Sequence, residues 1–333
     1  MRIEDGGLLT TVQDLGRYGY QKVGVTPGGA MDGFSLRLAN ILVGNPEEAA
    51  ALEITLRGPT VEFTSHALIA LSGANLSPKI SDLDIPLGRA VAVRRGSLLT
   101  FGRAVSGCRG YLAVAGGIDV PVVMGSRSTY LRAGIGGHEG RALRAGDELP
   151  IGAASQLATT TVQEALSVDD PLPFALSDRY VDRDDARLVR AGRAIRCVRG
   201  PHLDLMDDED RQTLWASAFQ VSTEADRMGY RLVGPSLSSA RGRGLVSSAV
   251  TMGAIQIPPG GEPIVLMADR QTTGGYPVVG QVITADLPLV AQMKPGDELT
   301  LAQVDIAEAQ EAMRETHRVL AEIKEEVDRR VSS

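Results

Sequence analysis

Short apolar runs, many of them β-branched, recur along the whole chain and are broken by Gly, Pro, Asn and Asp. Examples lie at 67–71, 90–93, 98–101, 111–115, 195–198, 255–257 and 264–267. This spacing predicts an all-β sandwich or barrel rather than a parallel α/β sheet. Three segments switch to a helical period. The first follows Asp32, a natural N-cap, shows Leu36, Ala39 and Val43 on one face, and stops at Gly44 and Pro46. The second covers roughly 207–216, and its acidic start, Asp207-Asp208-Glu209-Asp210, suits the positive end of a helix dipole better than a metal cluster. The third begins at Asp305, where Glu308 completes a capping-box pattern. Ile306, Met313, Leu320 and Val327 then repeat every seventh residue, with Ala309, Thr316 and Ile323 between them. Such a stripe is expected to pack on the body of the protein or on a partner.

A faint internal echo divides the chain. Arg57-Gly58-Pro59-Thr60-Val61 is answered by Arg199-Gly200-Pro201-His202-Leu203, and Gly146-Asp147-Glu148-Leu149 by Gly296-Asp297-Glu298-Leu299, at nearly one offset. Two copies of one β domain, or chance likeness of strand-end turns, would each produce it. The stretch between, rich in Ala, Ser, Thr and Asp with Pro171 and Pro173, reads as a connection. The expected organisation is an N-terminal β domain at 1–152, a connecting segment at 153–189, a second β domain at 190–303 and a C-terminal helix at 304–333.

Bulk numbers narrow the chemistry. A chain of 333 residues fits two ordinary domains, and 43% hydrophobic with 23% charged residues is normal for a soluble protein. A net charge of −7 gives no electrostatic support to nucleic-acid binding. No apolar run approaches a membrane span, and acidic residues stand near the start where a signal peptide would be apolar, so the expected location is cytoplasmic. Cys108 and Cys197 form no CxxC pair, and His66, His138, His202 and His317 form no HxH or HExxH arrangement, so no metal site is expected.

Four segments combine Gly with Arg or Asp and with hydroxyl or amide side chains where strand patterning breaks. The richest is Asp269-Arg270-Gln271-Thr272-Thr273-Gly274-Gly275-Tyr276-Pro277. Adjacent glycines let a backbone approach a ligand, and Gln271, Thr272, Thr273 and Tyr276 can orient a polar one; a self-capped hairpin turn would use the same residues. The second segment is Thr10-Thr11-Val12-Gln13-Asp14-Leu15-Gly16-Arg17, leading to Gly28-Gly29-Ala30-Met31-Asp32. The third is Gly125-Ser126-Arg127-Ser128-Thr129, followed by Gly134-Ile135-Gly136-Gly137, and the fourth is Asp226-Arg227-Met228-Gly229-Tyr230-Arg231.

In order along nearly the whole chain, TTVQDLGR, GAMD, LANILVGN, YLAVAGGIDVP, GSRST, DRMGYRL and DRQTTGGYP resemble the KipA family. That family includes the C subunit of bacterial 5-oxoprolinase, was formerly labelled allophanate hydrolase subunit 2, and forms part of the carboxyltransferase region of urea carboxylase. The resemblance implies two tandem cyclophilin-like β-barrels, a KipI-type partner (the B subunit of 5-oxoprolinase) and a further partner, the A subunit. It also implies ATP-driven opening of 5-oxo-L-proline to L-glutamate. The chain departs from many relatives at Val278 after Pro277, at Ser247-Ser248 and at Ala225 before Asp226.

No Walker A sequence occurs, and Gly134–Gly140 is not GxGxxG because position 139 is Glu, so ATP would need an unconventional or shared site. Gln292-Met293-Lys294-Pro295 is not a biotin-attachment loop, since Pro follows the Lys. Arg127 with Ser128 and Thr129 is a candidate anion contact; the alternative is an Arg paired with a carboxylate on a barrel rim. Gln13 and Arg17 join them as substrate-binding candidates. Asp14, Gln271, Thr272 and Thr273 are the catalytic candidates, although Asp14 could equally serve as a structural partner. Arg227 and Arg231 could hold a substrate carboxylate or lace two strands together. Three functions fit: one component of a 5-oxoprolinase that partner proteins complete, a biotin-dependent carboxyltransferase or urea-derived amide hydrolase component, and a regulator that binds a KipI-like protein without chemistry.

Overall fold

The computed structural model describes residues 1–166, 172–181, 194–237 and 245–332. The chain adopts the mainly β class that its apolar runs predict, and it divides into two compact units. Unit 1 takes Met1–Arg17, Asp32–Val189 and Val319–Ser333, and unit 2 takes Tyr18–Met31 and Arg190–Arg318. The units are thus not simply consecutive in sequence. The N-terminal stretch around Gly28-Gly29 belongs to the second unit, where Met31 enters the core.

Unit 1 is built from two sheets. One orders β1 (Arg2–Asp5), β4 (Thr60–Glu62), β9 (Leu98–Thr100), β6 (Lys79–Ile80) and β7 (Leu83–Asp84). The other orders β11 (Phe174–Tyr180), β8 (Arg89–Val93), β5 (Ala67–Asn75), β10 (Ser106–Val114), β3 (Ala51–Thr55) and β2 (Leu9–Gln13). Ile3, Val61 and Leu99 of the first sheet share one core with Leu52, Ile69, Val91 and Leu112 of the second. β10 lacks the in-out alternation of a half-exposed strand and is buried almost throughout. The reason is that both faces are covered. Leu112 points to the shared core, whereas the Tyr111 hydroxyl accepts from the backbone N–H of Asp32, at the start of α1 (Gly33–Leu42), at 2.8 Å. Asp32 caps α1 as its sequence predicts, accepting from Ser35 N at 2.9 Å.

The stretch read as a connection carries more structure than its composition suggests. It holds α2 (Gln156–Ala165), capped by Ser155, and β11, which pairs antiparallel with β8. Its parts at 167–171 and 182–189 lie outside the described residues.

Unit 2 is a closed barrel. Its order is β12 (Ile195–Arg199), β19 (Val278–Val282), β16 (Ala254–Gln256), β17 (Ile264–Leu266), β14 (Gly229–Val233), β13 (Ala218–Val221) and β20 (Glu298–Gln303), and β20 closes parallel onto β12. Phe219, Tyr230, Leu232, Leu299 and Leu301 alternate into its core. α3 (Asp208–Ala216) is capped by Asp207, which accepts from Asp210 N at 2.8 Å, and α4 (Leu287–Ala291) lies between β19 and β20 in sequence. A two-stranded ribbon, β15 (Ser248–Ala249) with β18 (Thr273–Gly274), stands beside the barrel's own strands. α5 (Ile306–Ser332) begins with the expected capping box: Asp305 N donates to Glu308 at 3.0 Å and Glu308 N to Asp305 at 2.8 Å. Its heptad stripe is only half used. Leu320, Ile323 and Val327 are buried, whereas Ile306 is 68% exposed.

The repeated Gly-Asp-Glu-Leu turn has the same wiring in both units. Asp147 accepts from Arg144 N at 2.9 Å, and Asp297 accepts from Lys294 N at 2.9 Å. Each glycine donates to a strand carbonyl at 2.8 Å, Gly146 to Ile3 and Gly296 to Val221. In unit 1 this turn also anchors an ion pair. Arg141 grips Asp147 with two nitrogens at 2.7 and 2.8 Å, holding its carboxyl down at about 2, against 3.8 when unperturbed. A depressed carboxyl stabilises the fold above the unfolded value and loses that contribution as pH falls through the folded one. Stability, followed by circular dichroism, should therefore decline between pH 4 and about 2. Asp147→Asn should be less stable at pH 7 and show a flatter decline over that interval.

Candidate functional site

The four polar segments form two groups, one in each unit, and the groups differ in how far their side chains are already committed.

In unit 1 the strand end at Gln13 and Asp14 meets the loop at 125–129. Asp14 is the hub. Its carboxylate accepts from Ser126 Oγ at 2.6 Å, Ser128 Oγ at 2.5 Å, Arg127 N at 2.6 Å and Gly16 N at 2.8 Å. The Asp14 backbone N–H donates to Ser128 Oγ at 2.9 Å. A carboxylate with four donors on it fixes a loop and has little lone pair left for a substrate proton. Thr129 is spent in the same way, donating from both its backbone N–H and its hydroxyl to Val12 O at 2.9 and 3.0 Å. Arg17 is fully buried and donates to Ser128 O. The glycines downstream exist for this packing: a side chain on Gly136 would start 2.1 Å from Ser128 O, and one on Gly137 would start 1.9 Å from Thr129 Oγ1.

Arg127 adopts the rim arrangement. Its guanidinium donates to Val120 O at 2.9 Å and pairs with Asp119 at 2.9 Å, both groups being substantially exposed. Gln13 is buried, with Nε2 donating to Thr11 Oγ1 at 3.0 Å and Thr129 O at 3.2 Å, and its Oε1 has no partner among the described residues. The unit 1 constellation thus exists as a cluster, and most of its polar capacity is turned inward.

Unit 2 shows the reverse. Thr273 and Gly274 form β18 and pair with Ala249 and Ser248 of β15, while Val250 N donates to Thr272 O at 3.1 Å. The backbone is therefore satisfied by the ribbon. The side chains of Gln271, Thr272, Thr273 and Tyr276 make no hydrogen bond among the described residues, and Tyr276 is 45% exposed. These groups remain available to a ligand.

Two buried arginines flank this loop. Arg227 forms a bidentate pair with Asp269, Nε to Oδ2 at 2.8 Å and Nη2 to Oδ1 at 3.0 Å, and also donates to Gly29 O at 2.7 Å. It ties β14's approach to the motif loop and to the N-terminal segment of the same unit. The second, Arg270, is 7% exposed, and its contacts are carbonyl oxygens: Val250 O at 3.3 Å from Nε and Met267 O at 3.5 Å from Nη1. Burial pulls its pKa below the usual arginine value, partly opposed by Tyr18 and Asp269. Arg231 stands apart from them and pairs with Glu224 at 3.1 Å, both well exposed. Among the described residues no group of three or more His, Cys, Asp or Glu is placed to hold a metal ion, and no helix is long and apolar enough to cross a membrane.

The profile of the carboxyltransferase domain, subdomains A and B, matches residues 23–303. The chain belongs to that family. It is similar to the C subunit of 5-oxoprolinase from Escherichia coli K12, 40% identical over 323 residues and 97% of each chain. It is also similar to the Haemophilus influenzae protein of the same name, 36% identical over 96% of each. Among solved structures it resembles the Kluyveromyces lactis urea carboxylase, with TM-score 0.83 and 30% identity over 97% of this chain, although it spans only 29% of that one. The KipA-type motifs and these relatives describe one family.

Within this family member, sequence reasoning assigns no role to Arg270 or to Gln256. Arg270 sits next to Asp269, which in sequence looks like its own partner; the fold gives that carboxylate to Arg227. Gln256 had a legible signal, a lone amide between Ile255 and Ile257 in an apolar run. It is 1% exposed, and its Nε2 has no partner among the described residues.

The wiring predicts opposite outcomes for two substitutions. Asp14→Ala strips four accepted hydrogen bonds and should cost roughly 2–4 kcal/mol in urea unfolding. Arg127→Ala removes a surface pair and should stay within about 1 kcal/mol.

Proposed function

We propose that this chain is the C subunit of an ATP-dependent 5-oxoprolinase and acts in the cytoplasm with two partners, a KipI-type B subunit and the enzyme's A subunit. The observation that carries this reading is the 40% identity to the Escherichia coli C subunit over 97% of both chains. The chemistry needs assistance. A five-membered lactam is a stabilised amide, and ATP supplies the means to activate its oxygen, water then opening the ring to L-glutamate with ADP and phosphate released. This chain's part is binding and orientation. Gln271 offers an amide donor and acceptor, and Thr272, Thr273 and Tyr276 offer hydroxyls. That complement matches the lactam N–H and C=O without adding charge at the reacting amide. Asp14 shapes the unit 1 loop on this reading and is not assigned the role of base. ATP would be held by the assembled complex.

The test is reconstitution: the purified A and B subunits with ATP and 5-oxo-L-proline, with and without this chain, following glutamate release. Stimulation is expected only when the chain is present, and no stimulation rejects the reading. In the active mixture Gln271→Ala should lower kcat/KM at least tenfold, about 1.4 kcal/mol of transition-state stabilisation, with the melting temperature unchanged.

A second reading, a component of a biotin-dependent carboxyltransferase, is favoured by the family match over residues 23–303. It calls for a separate biotin carrier. Carboxyl transfer from carboxybiotin to an amide in the presence of this chain, with no glutamate formed in the first assay, would select it.

A further inference from the structure

Unit 2 holds more buried positive charge than its own carboxylates neutralise beside the motif loop. Arg227 and Arg270 are both at least nine-tenths buried, and Asp269 lies between them in sequence. Both Asp269 oxygens are engaged by Arg227. Among the described residues no carboxylate pairs with Arg270, and its Nη2 makes no hydrogen bond. A guanidinium stays protonated even when burial lowers its pKa, so a charge is kept in a poorly hydrated place with two long contacts to carbonyl oxygens for support. A protein keeps such an arrangement at the expense of stability, and an incoming anion removes the cost.

The neighbours of Arg270 converge on one small surface. Val250, whose carbonyl accepts from Arg270 Nε, lays its Cγ1 3.4 Å from the point where a side chain on Gly274 would begin. Gln256 Nε2 is 2.7 Å from that point and Gln271 Nε2 is 3.5 Å from it. Because Gly274 carries no side chain, two amide nitrogens close on this stretch of backbone from the residues around it. One of them, on Gln256, is a buried donor with no acceptor among the described residues. An unpaired buried donor costs free energy unless a ligand supplies its acceptor.

We propose that Arg270, Gln256 and Gln271 form an oxyanion-binding site at the Gly274 face, taking a carboxylate or phosphate group that Arg270 and the two amides contact with N–H donors. Resting on the 5-oxoprolinase reading, this deepens it, because both the lactam's carboxylate and the nucleotide's phosphates belong to the ligand class. The site places a polar anchor next to the uncharged groups of Thr272 and Thr273, so a ligand with an anion at one end and an amide at the other would be held in one orientation.

The experiment is thermal melting of the full chain with inorganic phosphate, acetate, 5-oxo-L-proline, pyrrolidin-2-one (the same lactam without the carboxylate) and ATP, for wild type, Arg270→Met, Arg270→Lys and Gln256→Leu. Wild type should be stabilised by at least one oxyanion at millimolar concentration. Arg270→Met and Gln256→Leu should weaken that binding at least tenfold, and unliganded Arg270→Met should melt at or above the wild-type temperature. Protection by 5-oxo-L-proline but not by pyrrolidin-2-one assigns the site to the substrate carboxylate. Protection by phosphate and ATP but not by acetate assigns it to the nucleotide. Protection by acetate or phosphate that depends on Arg270, together with a silent reconstitution assay, keeps the site and rejects the 5-oxoprolinase reading. The proposal is overturned if no oxyanion stabilises wild type or if the shift survives in Arg270→Met. It is equally overturned if both Arg270 variants melt well below wild type, since Arg270 would then be a strut of the fold.

Discussion

A charge taken out of water must meet an opposite charge or a full set of hydrogen bonds, and much of this protein's polar architecture follows from how four of its buried or half-buried ions meet that demand. Asp14 meets it with four donors from one short segment and its own turn, and so fixes the shape of a loop. Arg227 meets it with both oxygens of Asp269 and the carbonyl of Gly29, and so ties the N-terminal residues of unit 2 to the motif loop. Asp147 meets it with Arg141 at the repeated turn of unit 1. Arg270 meets it only in part. The three satisfied ions hold structure, and Arg270 is left with donor capacity to spare.

The same contrast separates the two polar clusters. In unit 1 the hydroxyls of Ser126, Ser128 and Thr129 look, as residue types, like a ligand cradle, yet all three donate to Asp14 or to Val12. In unit 2 the ribbon of β15 and β18 satisfies the backbone and leaves the side chains of Gln271, Thr272 and Thr273 uncommitted. Backbone pairing is what releases side chains for binding, because a loop that must satisfy its own N–H groups consumes the very oxygens a ligand would need. That is why the motif at 269–277 carries the functional reading, while the equally polar segment at 125–129 reads as a support.

Much of this was legible without coordinates. Periodicity located strands such as β5, β8, β16 and β17, because alternating or continuous apolar runs between turn residues admit few other solutions. Caps located α1, α3 and α5, because Asp32, Asp207 and Asp305 satisfy the first orphan N–H groups through local contacts that need no tertiary structure. The repeated Gly-Asp-Glu-Leu turn was legible for the same reason. β11 was not, since its weak pattern acquires meaning only by pairing with β8. The heptad stripe of α5 was legible as a stripe, but nothing local says that burial begins near Val319 and leaves Ile306 exposed.

The sequence by itself thus determined the mainly β class, the helix starts, the turn chemistry and the family, all set by neighbours within a few residues or by long ordered motifs. Tertiary structure decided the partners of each ion. Sequence proximity would give Asp269 to Arg270, but the fold brings Arg227, from the bend that precedes β14, to take both oxygens. It also decided that residues 18–31 complete the second unit and that Gln256 faces Gly274. The reason is physical: hydrogen bonds and ion pairs act over a few ångströms in space, and only the folded backbone converts separations of tens or hundreds of residues into such distances.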